Sequence, residues 1–185
     1  MISTNSMTIN EVAKQDECAF GLREITGSPL VQDTFRLRYE VWRGETELVH
    51  AVHQTGLITD EHDCHARHWA VFRDDQIIAS ARLCLHGQQT NLPDPEDFRS
   101  IKLPCPIATM CRLVVHKSAR KCGLAHQLDM ARIEGARELK ANCIVVSAAA
   151  SRIPGLLNIG FQLTDLIHSA SYSNSITFRG MILIL

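Results

Sequence analysis

Two apolar, β-branched runs, "IATMCRLVV" (107–115) and "NCIVVSAAA" (142–150), flank a segment that reads as a helix once past Gly123. A strand, a crossover helix and a neighbouring strand return to one sheet as a parallel pair with the helix against a face. Upstream, "HWAVFRDDQIIASARLCLHG" (68–87) holds two strand-like runs around Asp74-Asp75, the pattern of a hairpin and so of an antiparallel pair. A chain that needs both kinds of pairing predicts a mixed sheet flanked by helices, an α/β (α+β) fold.

The other elements extend that sheet. Phe20 to Ile25 reads as a short strand, and Ser28-Pro29 supplies an N-cap followed by proline at the first helical position. Leu30, Val31, Thr34, Phe35, Leu37, Arg38, Val41 and Trp42 recur at three- and four-residue intervals, which gives that helix one largely apolar side. A second short helix is expected near Glu45 to His53. "NLPDPEDFRSIKLPCP" (91–106) reads as a surface loop of a length that either serves a site or moves. The closing "MILIL" is of strand length.

Composition narrows the function. A chain of 185 residues is expected to form one domain, here residues 19–185 behind a flexible polar tail, 1–18. It buries roughly 70% of the surface its unfolded form exposes. With 19 basic and 20 acidic residues the net charge is -1, so nucleic acid and anionic membrane are disfavoured as partners. Seven cysteines without CxxC spacing, and no basic-then-apolar leader at the N-terminus, predict a reduced, cytoplasmic protein. No apolar run approaches the roughly 18 residues of a spanning helix. A homodimer is left open.

The mouth of the central helix has a specific chemistry. First-turn N–H groups lack intrahelical partners and lie at the positive end of the macrodipole, so they can hold a phosphate. Gly123 admits close approach, Ala125 keeps the wall low and Arg120 adds a charge, which suits a pyrophosphate. The same residues also read as a tight strand-to-helix turn beside a solvated arginine.

"RKCGLA" (120–125) resembles the Arg/Gln-x-x-Gly-x-Gly/Ala acyl-CoA signature of the GNAT superfamily of N-acyltransferases. "NIGF" (158–161) resembles its Gly-Phe element, and "ITFRGMILIL" (176–185) its closing strand. "LRYEVWRGE", "DEHD", "HWAVFRDDQIIASARL" and "RLVV" are similar to small bacterial acetyltransferases, and also to acyl-homoserine lactone and N-acyl amino acid synthases. The resemblance covers about Phe20 to Leu185. It implies a mixed, mostly antiparallel sheet whose two central strands splay to admit pantetheine. Leu113, Val114 and Val115 would lie along that arm, and Arg120, Lys121, Cys122, Gly123, Leu124 and Ala125 would hold the pyrophosphate of acetyl-CoA or another acyl-CoA. Backbone N–H groups near Val114 and Val115 would polarise the thioester carbonyl. The implied chemistry is direct transfer of an acyl group to an amine of a small molecule or peptide.

Catalysis needs a base for the protonated amine, and the departing thiolate benefits from an acid. The tyrosine often found four residues before the glycine of the Gly-Phe element is replaced here by Leu156. Tyr172 is the remaining tyrosine in the C-terminal third, within loop-like "SASYSNS". Base candidates are Glu61 and Asp63 in the acidic cluster, then Glu45; the cluster also reads as a solvated face. Arg38, Trp42, Arg82 and Arg112 are expected to face the acceptor. Arg82 and Arg112, each within a strand, need carboxylate partners, which the acidic cluster could supply. Asp60, Asp63 and Arg112 echo the lactone synthases, but Thr109 stands where those usually have Glu. "HDCHARH" gathers His62, Cys64, His65 and His68, whose strand-like spacing lacks a clean ligand geometry, so no metal is expected. A non-catalytic acyl-CoA sensor is the rival reading that Leu156 raises.

Overall fold

The computed structural model describes residues 20–45, 54–93, 95–169 and 177–185. Its strands are β1 (Gly21–Glu24), β2 (Arg67–Arg73), β3 (Gln76–His86), β4 (Ile107–Val115), β5 (Cys143–Ala149), β6 (Gln162–Ser169) and β7 (Thr177–Ile184). They form one seven-stranded sheet in the order β1-β2-β3-β4-β5-β7-β6. Only β4 and β5 pair in parallel; every other neighbour is antiparallel. The α-helices bounded within the described residues are α1 (Val31–Trp42), α2 (Leu124–Glu138) and α3 (Ile153–Ile159).

The β2–β3 hairpin turns where the sequence places it. Asp74 and Asp75 both have positive φ, 50° and 61°, the handedness that lets a two-residue turn follow the twist of its strands. One expectation needs correction. Helix α1 starts at Val31, because Ser28 and Pro29 build a separate turn in which Ser28 Oγ accepts from the Leu30 N–H at 3.2 Å. The 91–106 surface loop reaches the cavity at Pro93 and is anchored by Leu92, Phe98 and Leu103, which bury themselves with Ile107, Cys143 and Val145. Gln89 ties it down, donating to the carbonyls of Phe98 (2.6 Å) and Ile101 (2.9 Å) and accepting from Leu103 N–H (3.1 Å). Strand β6 carries no clear alternation in sequence and sits at the sheet edge beyond β7. Apart from Glu45, the expected helix at 45–53 lies outside the described residues, as does Tyr172. No helix among the described residues is long and apolar enough to cross a membrane.

The main core lies between the sheet and α2. Leu124, Leu128, Ile133 and Ala136 meet Trp69, Ala81, Leu83, Met110 and Ile144 there. Each large aliphatic chain so buried contributes roughly 1.5–3 kcal/mol. On the other face Leu37 and Val41 of α1 pack with Val114. Gly135 allows α2 to close onto β2: a Cβ there would stand 2.8 Å from the Trp69 ring. Gly135→Ala gains about 1 kcal/mol of helix propensity but over-packs a rigid ring, at about 1–3 kcal/mol. We expect a net loss of stability in chemical denaturation, with the midpoint shifted down and the slope unchanged; a higher midpoint would contradict this packing.

Candidate active site

Strands β4 and β5 are paired only from Ile107↔Cys143 to Thr109↔Val145. Beyond that point β4 stays with β3 and β5 with β7, so the sheet opens between them. A cavity of about 1180 Å³ fills the opening. The divergence has a local cause on β4. Ser80 pairs with Val114 but Arg82 with Cys111, so β4 carries an extra residue, and Arg112 takes φ 53°. Such a bulge bends its strand and resets which side chains face which side. Before it, Met110 faces the α2 core; after it, Val114 faces α1.

At one end the cavity reaches the start of α2. Gly123 is the N-cap with φ 74°, a left-handed conformation that favours glycine, and no acidic side chain occupies the first turn. Lys121 is also left-handed, φ 66°. Leu113, Val114, Val115, Arg120, Lys121, Gly123, Leu124 and Ala125 all line the cavity. Cys122 is not among the lining residues; its exposed thiol turns onto the Arg120 carbonyl. Arg120 donates to Val115 O at 3.3 Å and forms an ion pair with Glu45, so Glu45 is engaged at the α2 end of the cavity.

At the other end of the cavity, residues 61–65 form a 3-10 turn rather than a strand. Asp60 caps it by accepting from His62 N–H, and the Asp63 side chain accepts from Asp60 N–H at 2.9 Å. The paired arginines expected from the sequence are present. Asp60 receives Arg82 at 2.5 Å and Arg112 at 2.6 Å. Asp63 receives Arg38 and Arg82, both at 2.9 Å. Burial pushes both carboxyls up, but the guanidiniums outweigh it and hold both below the usual carboxylate range.

That network holds two of the expected site residues out of the cavity wall. Asp63 is 7% exposed, does not line the cavity and is held by two arginines, which disfavours it as a proton acceptor. Arg38 is 1% exposed and holds Asp63 and the Ile58 carbonyl, so it does not reach an acceptor in the cavity. Trp42, Arg82, Arg112, Glu45 and Glu61 do line it. Three polar lining residues were not among the expected site residues: His62, Thr109 and Cys111. The His62 ring meets His86 edge-on at 5.8 Å, and its Nε2 lies 4.0 Å from a Glu61 carboxylate oxygen. The signal available was a histidine beside the acidic residues, read instead as one of a scattered metal set. Cys64 and His65 point elsewhere, His68 is buried in β2, and no three His, Cys, Asp or Glu residues converge among the described residues.

Beneath the splay, Arg132 and Arg152 both hold the buried Asp129. Arg132 also donates to the carbonyls of Arg82 (3.4 Å) and Cys111 (3.3 Å), fixing α2 to the bulged region. Leu156, 1% exposed, forms apolar wall, and no tyrosine lines the cavity among the described residues.

Comparison with known proteins agrees with this architecture. The fold is similar to FeeM, an N-acyl amino acid synthase from uncultured soil microbes, at 11% identity and TM-score 0.68 over 90% of this chain and 91% of that one. It is similar to an acyl-CoA N-acyltransferase from Pseudomonas aeruginosa, at 20% identity and TM-score 0.58 over 89% and 97%. It is also similar to BjaI, a CoA-dependent acyl-homoserine lactone synthase, at 18% identity and TM-score 0.64 over 89% and 82%. No curated protein sequence matches the chain. The family described as "Acetyltransferase (GNAT) domain" matches residues 37–130, which run from α1 through the arginine-bound acidic turn and the bulged strand into the glycine-capped helix. With half of the chain matched and the splayed sheet in place, the protein belongs to the GNAT family of acyl-CoA-dependent N-acyltransferases.

Proposed function

We propose that the protein moves an acetyl group from acetyl-CoA to an amine of a small molecule or peptide, by direct attack within a ternary complex. The single observation that carries this is the continuity of the cavity from the α2 mouth, past the bulge, to the acidic turn. In this reading residues 19–185 act as one acyltransferase domain. Pyrophosphate lies on the first-turn N–H groups of α2, with Arg120 and Lys121 beside it, and pantetheine runs along Leu113 to Val115. Beyond Thr109 the β5-facing edge of β4 has no strand partner among the described residues, so its N–H groups can polarise the thioester carbonyl. Glu61 and His62 face the incoming amine, and Trp42, Arg82 and Arg112 shape its seat. We assign the proton-accepting role to His62, with Glu61 next to it. A longer acyl donor, as in an N-acyl amino acid or homoserine lactone synthase, is the second reading. It is favoured by the cavity's volume, about 1180 Å³, and by its extension past Leu156 to Phe178.

Acetyl-CoA at millimolar concentration should raise the melting temperature, because a ligand that binds only the folded state stabilises it by mass action. Gly123→Glu should weaken that binding at least ~10-fold, equivalent to ~1.4 kcal/mol. A side chain has open space there, but the position is left-handed, so Gly123→Ala is the control that shares the backbone strain without the charge. Equal affinity in the two variants would move the phosphate site away from α2. Turnover with a panel of amines then separates an enzyme from an acyl-CoA sensor, and a series of donor chain lengths separates the two enzyme readings.

A further inference from the structure

Arg152 is the N-cap of α3 and has helical angles itself, φ -92° and ψ -24°, so it stands one turn before Leu156 on the same side of that helix. Leu156 is where the family resemblance places a proton-donating tyrosine, and both residues line the cavity. The wall is apolar at Leu156, but Arg152 brings a guanidinium to it, 28% exposed at its side chain. Among the described residues its hydrogen-bond partner is Asp129, whose other oxygen receives Arg132 at 2.6 Å. Asp129 and Arg132 are closed to solvent, so Arg152 is the member of the set that opens on the cavity. Two guanidiniums share one carboxylate there, and the set keeps one positive charge in the cavity wall. Such a charge is costly to hold away from water, and a ligand that develops negative charge beside it offsets the cost. Arg132 fixes the height of the set by donating to the carbonyls of Cys111 (3.3 Å) and Arg82 (3.4 Å). It therefore lies level with the bulge, just past the point where β4 leaves β5.

We propose that Arg152 is a catalytic residue of the acyl transfer, a fixed positive charge that stabilises the departing CoA thiolate in place of a proton donor. The amine, having given one proton to His62, forms its bond to the acyl carbon. The carbon–sulfur bond breaks and its electron pair stays on sulfur. The nitrogen releases its surplus proton to water, and the thiolate leaves unprotonated beside the guanidinium. A guanidinium keeps its protons at any ordinary pH, so Arg152 supplies charge and hydrogen bonds and transfers nothing. A fixed cation aimed at charge that develops during the reaction acts on the transition state more than on the bound donor. Asp129 holds the guanidinium in place, and without Arg152 it remains in a one-to-one pair with Arg132, so the wall loses its charge and keeps its packing.

This role rests on the reading given under the proposed function, which sets the thioester at the bulge. The test titrates free CoA bound to the full chain, following the ultraviolet absorbance of its thiolate against the same protein holding desulfo-CoA. In the wild type the bound thiol is expected to ionise at least ~1 pH unit below the ~8.5 of an ordinary thiol. In Arg152→Gln it should return to the ordinary value, and in Arg152→Lys it should stay low. With an amine that the wild type acetylates, Arg152→Gln should lower kcat at least ~10-fold. The KM for acetyl-CoA and the acetyl-CoA thermal shift should stay near their wild-type values, and Arg152→Lys should recover most of the rate. A wild-type complex whose thiol ionises as free CoA does overturns the proposal, as does a lowered thiol that Arg152→Gln leaves unchanged. A raised KM at constant kcat also overturns it, since Arg152 would then only grip the donor. If the wild type binds no CoA at all, the acyl-CoA reading of the cavity fails, and the role of Arg152 fails with it.

Discussion

Asp60→Ala is expected to destabilise the fold by about 3–5 kcal/mol, the cost of breaking a buried ion pair and leaving its partner charged. Arg82 is 1% exposed, and Asp60 and Asp63 are the carboxylates the structure gives it; Arg112 leans on the same Asp60 oxygen that Arg82 Nη2 shares. Without Asp60, the guanidiniums of Arg38 and Arg82 share the single Asp63 carboxylate. The Asp60 side chain is 23% exposed, so water relieves part of the loss and the lower half of that range is the better expectation. For a chain of this size each kcal/mol lowers the melting temperature by roughly 2–4 °C. Asp60→Asn, which keeps the cap to His62 N–H, should lose less. A change under about 1 kcal/mol for alanine would mean that Arg82 is not held as described.

The same network fixes the acid limb of stability. Asp60 and Asp63 have folded values depressed below those of the unfolded chain. Their contribution is therefore complete above the unfolded carboxyl value, ~3.9, and disappears as pH falls through the lowered folded values. His68 and His86 add an earlier loss. Burial depresses both, so below the unfolded imidazole value, ~6.5, the unfolded chain takes up protons that the folded one refuses. Stability should begin to decline below about pH 6.5 and steepen below about pH 4. Asp60→Asn should flatten only the lower segment.

Most of the fold was legible because its signals are local. The Asp74-Asp75 turn, the apolar runs of β2 to β5 and the glycine at the mouth of α2 each state their geometry within a few residues. Even the pairing of Arg82 and Arg112 with the acidic cluster could be anticipated, since a charge inside a strand needs a partner. What escaped depends on distant contacts. Asp60 and Asp63 are equivalent in sequence, and only the arrival of Arg38 from α1 buries one and leaves the other at the cavity edge. The packing of 91–106 depends on Gln89 reaching forward to Leu103. The bulge at Arg112 has no composition signal, yet it decides that Val114 faces α1 and that the sheet opens where it does.

Replacing His62 by glutamine is expected to lower turnover by at least ~100-fold near neutral pH, with the acetyl-CoA thermal shift unchanged. The acceptor amine arrives protonated and must lose that proton before it attacks. Imidazole is the side chain whose charge changes in the physiological range, so it can accept a proton there without holding it too weakly. Glu61, 89% exposed at its side chain, projects mostly into solvent. His62 is 25% exposed at its side chain, lines the cavity, and has its ring set by the edge-on contact with His86. On the proposed reading the opposite end of the reaction asks for less: with Leu156 where a tyrosine often supplies a proton, departure of the CoA thiolate depends less on a dedicated acid. A thiol value near ~8.5 makes it a fair leaving group. Leu156→Tyr should therefore change turnover much less than His62→Gln. Glu61→Gln and Glu45→Gln should also fall short of the His62 effect, Glu45 acting through Arg120 and so mainly on CoA affinity. If His62→Gln instead keeps its rate while Glu61→Gln loses it, the proton goes to the carboxylate, and the histidine only lines the wall.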